Sequence, residues 1–491
     1  MSESASKNIF WLAVSRAAAL VLLFFAYASL FRYLGPKAYG QYQFALSYVL
    51  IFSTVVDFGV QQFMTKKMAE DEPNTRKYFQ NFIAFEVIAS LALYALLIAI
   101  AYFKNFEPIV FKAVAVTGLG MVANSLCYPF LSVLTARQDL KKVAFINFLN
   151  SLVNITIIFL AVAFKKYIIF LASIQLVFGI LDLILYRVYV GKFLPGPLFG
   201  NFFRKSTPGL NGEKLTFFDA AAIINILKSA WPFALLVGFS AIYNRIDVII
   251  ITKLLGYTQT GLYSAAYKFF DILNFFPASV SHVLFPVLAG LMAKNLISDV
   301  KATLEKYLKL MIAAALPMAV GGMLLSKQLM LLIAGKDFEA SAPVLSILIW
   351  SIAILFIYIP VNSLIISQLT KKAMVITGLN VLVNIIGNII LIPIYGILGA
   401  AIMTVVSELI QGIFYFYFVR KNIANFKFFS ILWKPVLASA IMGGAIWQVR
   451  EMNLVALVFV GAVVYALSLL ALGFIKKEDF NIIKRLKVGL T

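Results

Sequence analysis

Cysteine, histidine and charge are all scarce in this chain. Among 491 residues there is one cysteine, one histidine and five tryptophans, and only 13% of residues are charged. The single Cys127 excludes an intramolecular disulfide, and its apolar neighbourhood suits a small buried hydrophobe. A lone His282 excludes a His/Cys metal centre. The sequence has no phosphate-cradling Gly-rich loop, no catalytic-triad spacing and no metal-ligand spacing. No cofactor, no resident metal and no enzymatic activity are therefore expected, and ATP-driven work by this chain alone is not indicated. Acidic residues number 21 against 42 Lys and Arg, a formal net charge of +21. On a soluble chain that excess would point to nucleic acid. Here membrane topology accounts for it, and no nucleic-acid partner is expected.

What the sequence does have is apolar length. Hydrophobic residues make up 62% of it, and the mean hydropathy is +0.94. Runs of about 20 apolar residues are long enough to cross the hydrocarbon core of a bilayer. The runs are continuous rather than alternating, which excludes an outer-membrane barrel. The fold class is an all-α polytopic membrane protein with about fourteen transmembrane helices. The first apolar stretch, near residues 9–31, lacks a clear small-residue cleavage site and reads as a retained helix. With fourteen spans, Lys and Arg fall 29 on the side holding the N-terminus and 10 on the other, while Arg16, Arg245 and Lys268 lie within spans. Positive residues collect in cytoplasmic loops. The expected placement is the cytoplasmic (inner) membrane, with both termini cytoplasmic.

The chain also repeats itself. "LGPKAYGQY" (34–42) returns as "LGYTQTGLY" (255–263), 221 positions later. "LNSLVNI" (149–155) returns as "LNVLVNI" (379–385), each behind a lysine pair, Lys141–Lys142 and Lys371–Lys372. Two six-helix units in parallel orientation follow from this, because six crossings return the chain to its starting side. The division is 1–190 for the first lobe, 191–230 for a cytoplasmic linker with an interfacial helix, 231–420 for the second lobe, and 421–491 for two further spans and a tail. Gly35 and Gly40 are expected to make a tight turn, with Tyr42 anchoring the next helix at the membrane interface. Asp219 is expected to cap a short linker helix carrying Ile223, Ile224 and Leu227.

The segments "RYLGPKAYGQYQFALSYVLIFSTVVDFGVQQFMTKKMAE" (32–70) and "NRIDVIIITKLLGYTQTGLYSAAYKFFDILNFFPASVSHVLFPVLA" (244–289) carry a resemblance. Together with the whole-chain pattern of spans, they resemble polysaccharide and O-antigen flippases. Those form the polysaccharide transporter branch of the multidrug/oligosaccharidyl-lipid/polysaccharide exporter superfamily. The resemblance implies a polyprenyl-diphosphate-linked oligosaccharide as substrate, such as an O-antigen, capsule or exopolysaccharide repeat unit. It implies transfer from the inner to the outer leaflet by alternating access, through a basic cavity between lobes. The lipid bilayer and polysaccharide assembly proteins are the partners it implies.

Ionisable side chains inside spans are costly, about 3 kcal/mol each on insertion scales, and mark function. A diphosphate requires cations or N–H donors, and the arginine fork matches its oxygens. Arg16, Arg245 and Lys268, from spans 1, 7 and 8, are the substrate-binding candidates. Arg16 is also placed to snorkel, and Lys268 to pair locally with Asp271 three residues on. Asp57, Asp247, Asp271, Asn380, Asn384 and Glu408 are candidates for coupling to a proton or sodium gradient. Asp57 and Asp182 stand near span ends, where capping or ion pairing is the plainer role. Asn380 and Asn384 share a helix face, and the resemblance implies that with Asp247 they offer oxygens to sodium. The matching pair Asn150 and Asn154 argues for interhelical hydrogen bonding instead.

Two other classes remain open at this point. An ion-coupled drug or organic-cation antiporter of the same architecture would favour acidic rather than basic cavity residues. A membrane-embedded glycan polymerase would need a large external loop with clustered acids or arginines, and the external loops here are short.

Overall fold

The computed structural model describes residues 3–57, 59–165, 167–194, 207–208, 214–215, 220–423, 425–426 and 428–474. Side chains are described from Leu22 onward, apart from those of 207–208, 214–215, 220–234, 236–237, 282 and 370. The side chains of Arg16 and His282, Asp219 itself, and most of the 191–230 linker therefore lie outside the described residues.

Among the described residues, twelve helices are long and apolar enough to cross a membrane. Two of them, Leu22–Glu70 and Gly238–Ala293, run 49 and 56 residues, more than twice the ~20 that one crossing requires. Each contains one copy of the duplicated phrase. In the first copy Gly35 has φ 68° and ψ 173°, and in the second Gly256 has φ 82° and ψ 176°. That region of backbone space is open essentially to glycine alone. The repeat is thus a repeated kink: the same residue breaks the helix in the same way twice. Nothing lies within 4 Å of a Cβ built on either glycine. Gly35→Ala or Gly256→Ala is therefore expected to cost only backbone strain, about 1–3 kcal/mol. Thermal unfolding of each variant in detergent measures this, and wild-type melting of both would refute the kink as a glycine requirement.

The chain packs into two units that meet the sequence at these same two phrases. One is Lys37–Thr260 and the other is Met1–Pro36 with Gly261–Thr491. The division at 190 and 231 is one of sequence symmetry, whereas packing divides the chain at residues 36 and 260. Phe31, ahead of the first kink, meets Phe338 at a tilt with ring centroids 5.5 Å apart, and Arg32 donates to the Leu332 carbonyl at 2.6 Å. Tyr257, just past the second kink, meets Phe44 edge-on at 5.7 Å.

The Lys37–Thr260 unit contains the end of α1 (Glu3–Asp57), then α2 (Val60–Glu70), α3 (Thr75–Phe103), α4 (Pro108–Ser125), α5 (Tyr128–Ala136), α6 (Leu140–Ala163), α7 (Ile168–Ala172) and α8 (Ile174–Val190). It closes with the first part of α9 (Ala220–Leu273). The helix expected as a separate linker element is the beginning of α9, which is helical from Ala220 to the Gly256 kink. A two-residue antiparallel pair, Thr207–Pro208 with Lys214–Leu215, precedes it. The core gathers Met64, Met68, Phe79, Phe82, Phe130 and Tyr186, with Phe79 and Phe130 edge to face at 4.9 Å. Outside the spans, Asp71 accepts from Asn74 Nδ2 and Tyr78 Oη, which hold its carboxyl below the usual carboxylate range. Arg137 pairs with Glu72 and lies over Phe193, while Lys142 pairs with Asp139 and lies over Tyr189.

The other unit continues α9 and adds α10 (Phe275–Ala293), α11 (Ile297–Leu324), α12 (Ser326–Ile333), α13 (Ala342–Gln368), α14 (Thr370–Tyr395), α15 (Ile397–Asn422), α16 (Phe428–Gln448) and α17 (Leu454–Ala471). Here α14 is amphipathic with polar residues inward. Asn380, Asn384 and Asn388, spaced four apart, are all buried, while Leu379, Leu382, Ile386 and Ile390 are more than half exposed. An apolar face turned outward and an amide face turned inward suit lipid as the surrounding solvent.

The expected interfacial tyrosine is a correction. Tyr42 is buried, and its counterpart Tyr263 is fully enclosed, with its hydroxyl 3.4 Å from Thr404 Oγ1. Both lock helices inside a unit rather than anchoring at a membrane surface, because each points along a helix face that other helices cover.

Candidate functional site

Arg245 lies in α9, 11 residues before the Gly256 kink, or about 16 Å along the helix. It is half-buried, whereas Asp247 is buried and accepts from the Val248 backbone N–H at 2.7 Å. The two are two residues apart on a helix and so face different directions.

Lys268 lies further along α9, in the other unit. Its ammonium is 3.5 Å from Asp271 and 4.1 Å from the centre of the Tyr27 ring. The local pair anticipated from the three-residue spacing forms, and an aromatic face adds a second hold on the charge. The structure therefore brings Lys268 and Asp271 together.

Asn380, Asn384 and Glu408 share a buried polar layer. Asn380 Nδ2 donates to Gln411 Oε1 at 2.8 Å, Asn384 Nδ2 to Ser407 Oγ at 2.9 Å, and Asn388 Nδ2 to Asn384 Oδ1 at 2.9 Å. Tyr358 Oη donates to Glu408 Oε2 at 2.6 Å. The oxygens of Asn380 and Asn388 lack a hydrogen-bond partner among the described residues. Asn384 Oδ1 is already accepting, and Asp247 lies in the Lys37–Thr260 unit. No step is assigned to sodium. Among the described residues there is no group of three or more His, Cys, Asp or Glu able to hold a metal.

The equivalent layer in the Lys37–Thr260 unit joins Asn150 Nδ2 to both carboxylate oxygens of Asp182, at 3.0 and 3.1 Å. Asn150 and Asp182 are 32 residues apart, and Asn380 and Gln411 are 31 apart. The repeated asparagine thus makes a like interhelical bond in both units, to a carboxylate in one and to a carboxamide in the other. Asp57 ends α1 where the helix breaks, and its Oδ1 accepts the Gln61 backbone N–H at 2.9 Å. This is the capping role its place near a span end suggested.

Sequence reasoning missed Glu86. It lies in α3, is 0% exposed, and neither carboxylate oxygen has a hydrogen-bond partner among the described residues. The signal was available, because Glu86 is the one Asp, Glu, Lys or Arg between residues 79 and 103. Cys127 is buried as expected, its thiol 3.4 Å from the Ala123 carbonyl oxygen.

Comparison with known proteins adds the following. A profile of polysaccharide biosynthesis proteins matches residues 5–292, and the MatE profile matches residues 232–390. The probable low-salt glycan biosynthesis flippase Agl15 of Haloferax volcanii is 25% identical over 253 residues, covering 50% of this chain and 53% of that protein. The probable flippase AglR of the same organism is 22% identical over 242 residues, covering 47% and 50%. The chain spans about half the length of the curated relatives it matches. In fold, it is similar to the lipid II flippase MurJ in an inward closed conformation. The TM-score is 0.74 at 18% identity, over 94% of this chain and 98% of that one.

Proposed function

Because this chain belongs to the polysaccharide biosynthesis protein family, we propose that it is a flippase for a glycan linked to a polyprenyl diphosphate. The observation that carries the reading is the family match over residues 5–292, more than half of the chain. The flippases named among its relatives and the fold shared with a lipid II flippase support it.

The chemistry of the chain suits such a cargo. A diphosphate presents fixed negative charge, and an arginine within a span offers a bidentate fork in a medium where water competes weakly. Arg245 is the residue we assign to that contact. Lys268 supplies a second cation, held in place by Asp271 and Tyr27. The lipid tail stays in the bilayer while the glycan and diphosphate pass by alternating access. Transfer runs from the inner to the outer leaflet of the cytoplasmic membrane, with both termini cytoplasmic as the Lys/Arg bias requires. The glycan is an O-antigen, capsule or exopolysaccharide repeat unit, handed on to polysaccharide assembly proteins. No catalytic step is assigned to the chain.

A second reading has its own support. The MatE match over residues 232–390 favours an ion-coupled drug or organic-cation antiporter. The test is reconstitution in liposomes with a fluorescent polyprenyl-diphosphate oligosaccharide, following its accessibility from outside. Protein-dependent flipping is the expected result. No flipping of such a lipid, alongside efflux of a cationic dye, would overturn the first reading in favour of the second.

A further inference from the structure

The lysine pair that precedes each copy of the asparagine repeat has no part in the contacts assigned above, and the two copies use it differently. Lys142 lies over the Tyr189 and Phe193 rings, at 5.5 and 5.3 Å, and pairs with Asp139. Its counterpart Lys372 lies over the Phe418 ring of α15 at 5.0 Å, and its ammonium donates to Asn422 Oδ1 at 3.1 Å. The second lysine of each pair is thus pinned on aromatic rings, but its polar partner is an acid in one unit and an amide in the other. The same contrast holds around it. In the Lys37–Thr260 unit Arg137 pairs with Glu72, and Lys66 and Lys67 with Glu70 at 3.7 and 3.3 Å. In the other unit, residues 340–450 hold seven Lys and Arg and one acid, Glu408. Glu408 is buried, bonded to Tyr358, and about 18 Å along α15 from Arg420.

The cations of this second unit converge. Phe416 of α15 meets Phe428 of α16 at 4.7 Å, which sets the end of α15 beside the start of α16. Lys434 of α16 donates to the Gly473 carbonyl at 3.3 Å, and Lys309 of α11 lies over the adjacent Phe474 ring at 5.0 Å. Lys371, Arg420 and Lys421 are exposed. Among them Tyr417, Phe429 and Trp433 are more than half exposed, with Lys421 over the first at 5.7 Å and Lys434 over the last at 5.6 Å. Helix α14 gains nothing from its lysines, since cations in a first turn oppose the macrodipole. The first half of α11 adds Asp299 and Glu305, but also Lys301, Lys306 and Lys309. Residues 475–491 hold five Lys and Arg against Glu478 and Asp479, and residues 1–21 hold Lys7 and Arg16 against Glu3, so neither stretch carries net negative charge.

Uncompensated cations set among exposed aromatic rings complement a lipid with an anionic head group. We propose that this end of α14, α15 and α16 binds acidic phospholipid. Lys371 and Lys421 meet the head-group phosphate. Val375, Leu379 and Leu382, each more than half exposed, follow Lys371 down the same face of α14 and offer a track for an acyl chain. The matching pair in the Lys37–Thr260 unit, with Lys142 held by Asp139, is not such a site. The occupant is a lipid of the bilayer itself, so the proposal stands apart from the flippase reading.

The experiment titrates the full chain in detergent with phosphatidylglycerol, phosphatidylcholine and a polyprenyl diphosphate, and counts bound lipid by native mass spectrometry. Phosphatidylglycerol should bind more tightly than phosphatidylcholine, by a margin that shrinks as salt rises. A lysine at an anionic lipid surface is worth about fivefold in affinity, so Lys371→Gln with Lys421→Gln should weaken phosphatidylglycerol binding about 25-fold. Lys66→Gln with Lys141→Gln, in the other unit, should leave it unchanged. All four side chains are exposed, and melting without lipid checks that the variants fold. Should the first double variant not fold, Lys371→Gln alone decides, with a loss of about fivefold expected. Equal affinity for the two phospholipids, or equal losses in the two double variants, would overturn the proposal. So would a Lys371/Lys421 variant that loses the polyprenyl diphosphate and keeps phosphatidylglycerol, which would give this surface to a transported lipid. Absence of flipping in the transport assay leaves the proposal standing, since only equilibrium binding is measured here.

Discussion

Arg245→Ala is expected to lower the flipping rate in reconstituted liposomes roughly a hundredfold, with normal amounts of protein in the membrane. Hydrogen bonds to charged groups are worth about 1.5–3 kcal/mol, so losing a two-bond fork costs on the order of 3 kcal/mol or more. Each ~1.4 kcal/mol is tenfold in rate or affinity. The guanidinium is half-buried, about 16 Å along the helix from the Gly256 kink. Arg245→Lys should recover part of the rate, because the charge returns without the planar fork. Thermal melting separates this from a folding defect. Normal flipping by a stable Arg245→Ala protein would remove Arg245 from the substrate contact.

Gly179→Val is expected to carry the largest stability cost of a single substitution here, about 3 kcal/mol. In the Lys37–Thr260 unit α4 and α8 cross at backbone contact distance. A Cβ on Gly179 would stand 2.9 Å from both the Ala123 carbonyl carbon and the Asn124 nitrogen. A Cβ on Gly120 would stand 2.7 Å from the backbone of Gln175 and of Leu176. Backbone cannot rotate away as a side chain does, so the helices must separate. Overpacking of this kind costs about 1–3 kcal/mol. Separation would also stretch the bond from Asn124 Nδ2 to the Gln175 carbonyl, now 3.0 Å, worth about 1 kcal/mol more. Close approach through small residues is a main source of helix association in lipid, where no hydrophobic effect drives it. Gly444→Val is the control, since nothing lies within 4 Å of a Cβ there. Equal melting temperatures for the two variants would refute the crossing as the cause.

The duplicated phrase was legible in the sequence as a repeat, and its glycines pointed to a turn. That Gly35 and Gly256 adopt the same left-handed, extended-ψ kink follows from local backbone sterics, which a short stretch of sequence can encode. The partner of Tyr42 was not legible. Whether a tyrosine meets lipid head groups or another helix depends on what packs beside it. The Asn150–Asp182 and Asn380–Gln411 bonds were half legible: the repeated asparagines were visible, but their partners lie 32 and 31 residues away on another helix. Glu86 was visible as a lone acid in an apolar run, yet its full burial is something only packing reveals.

The sequence by itself determined that this is a polytopic helical membrane protein with a duplicated plan, because transfer of a side chain from water to lipid is a property of each residue and sums along the chain. The tertiary structure decided which charges are compensated. It ties Lys268 to Asp271 and Tyr27, gives Asp57 the Gln61 N–H, and leaves Glu86 without a hydrogen-bond partner among the described residues. Pairing and burial belong to two or more residues at once, and their energies turn on distances of a few ångströms that no one-dimensional pattern contains.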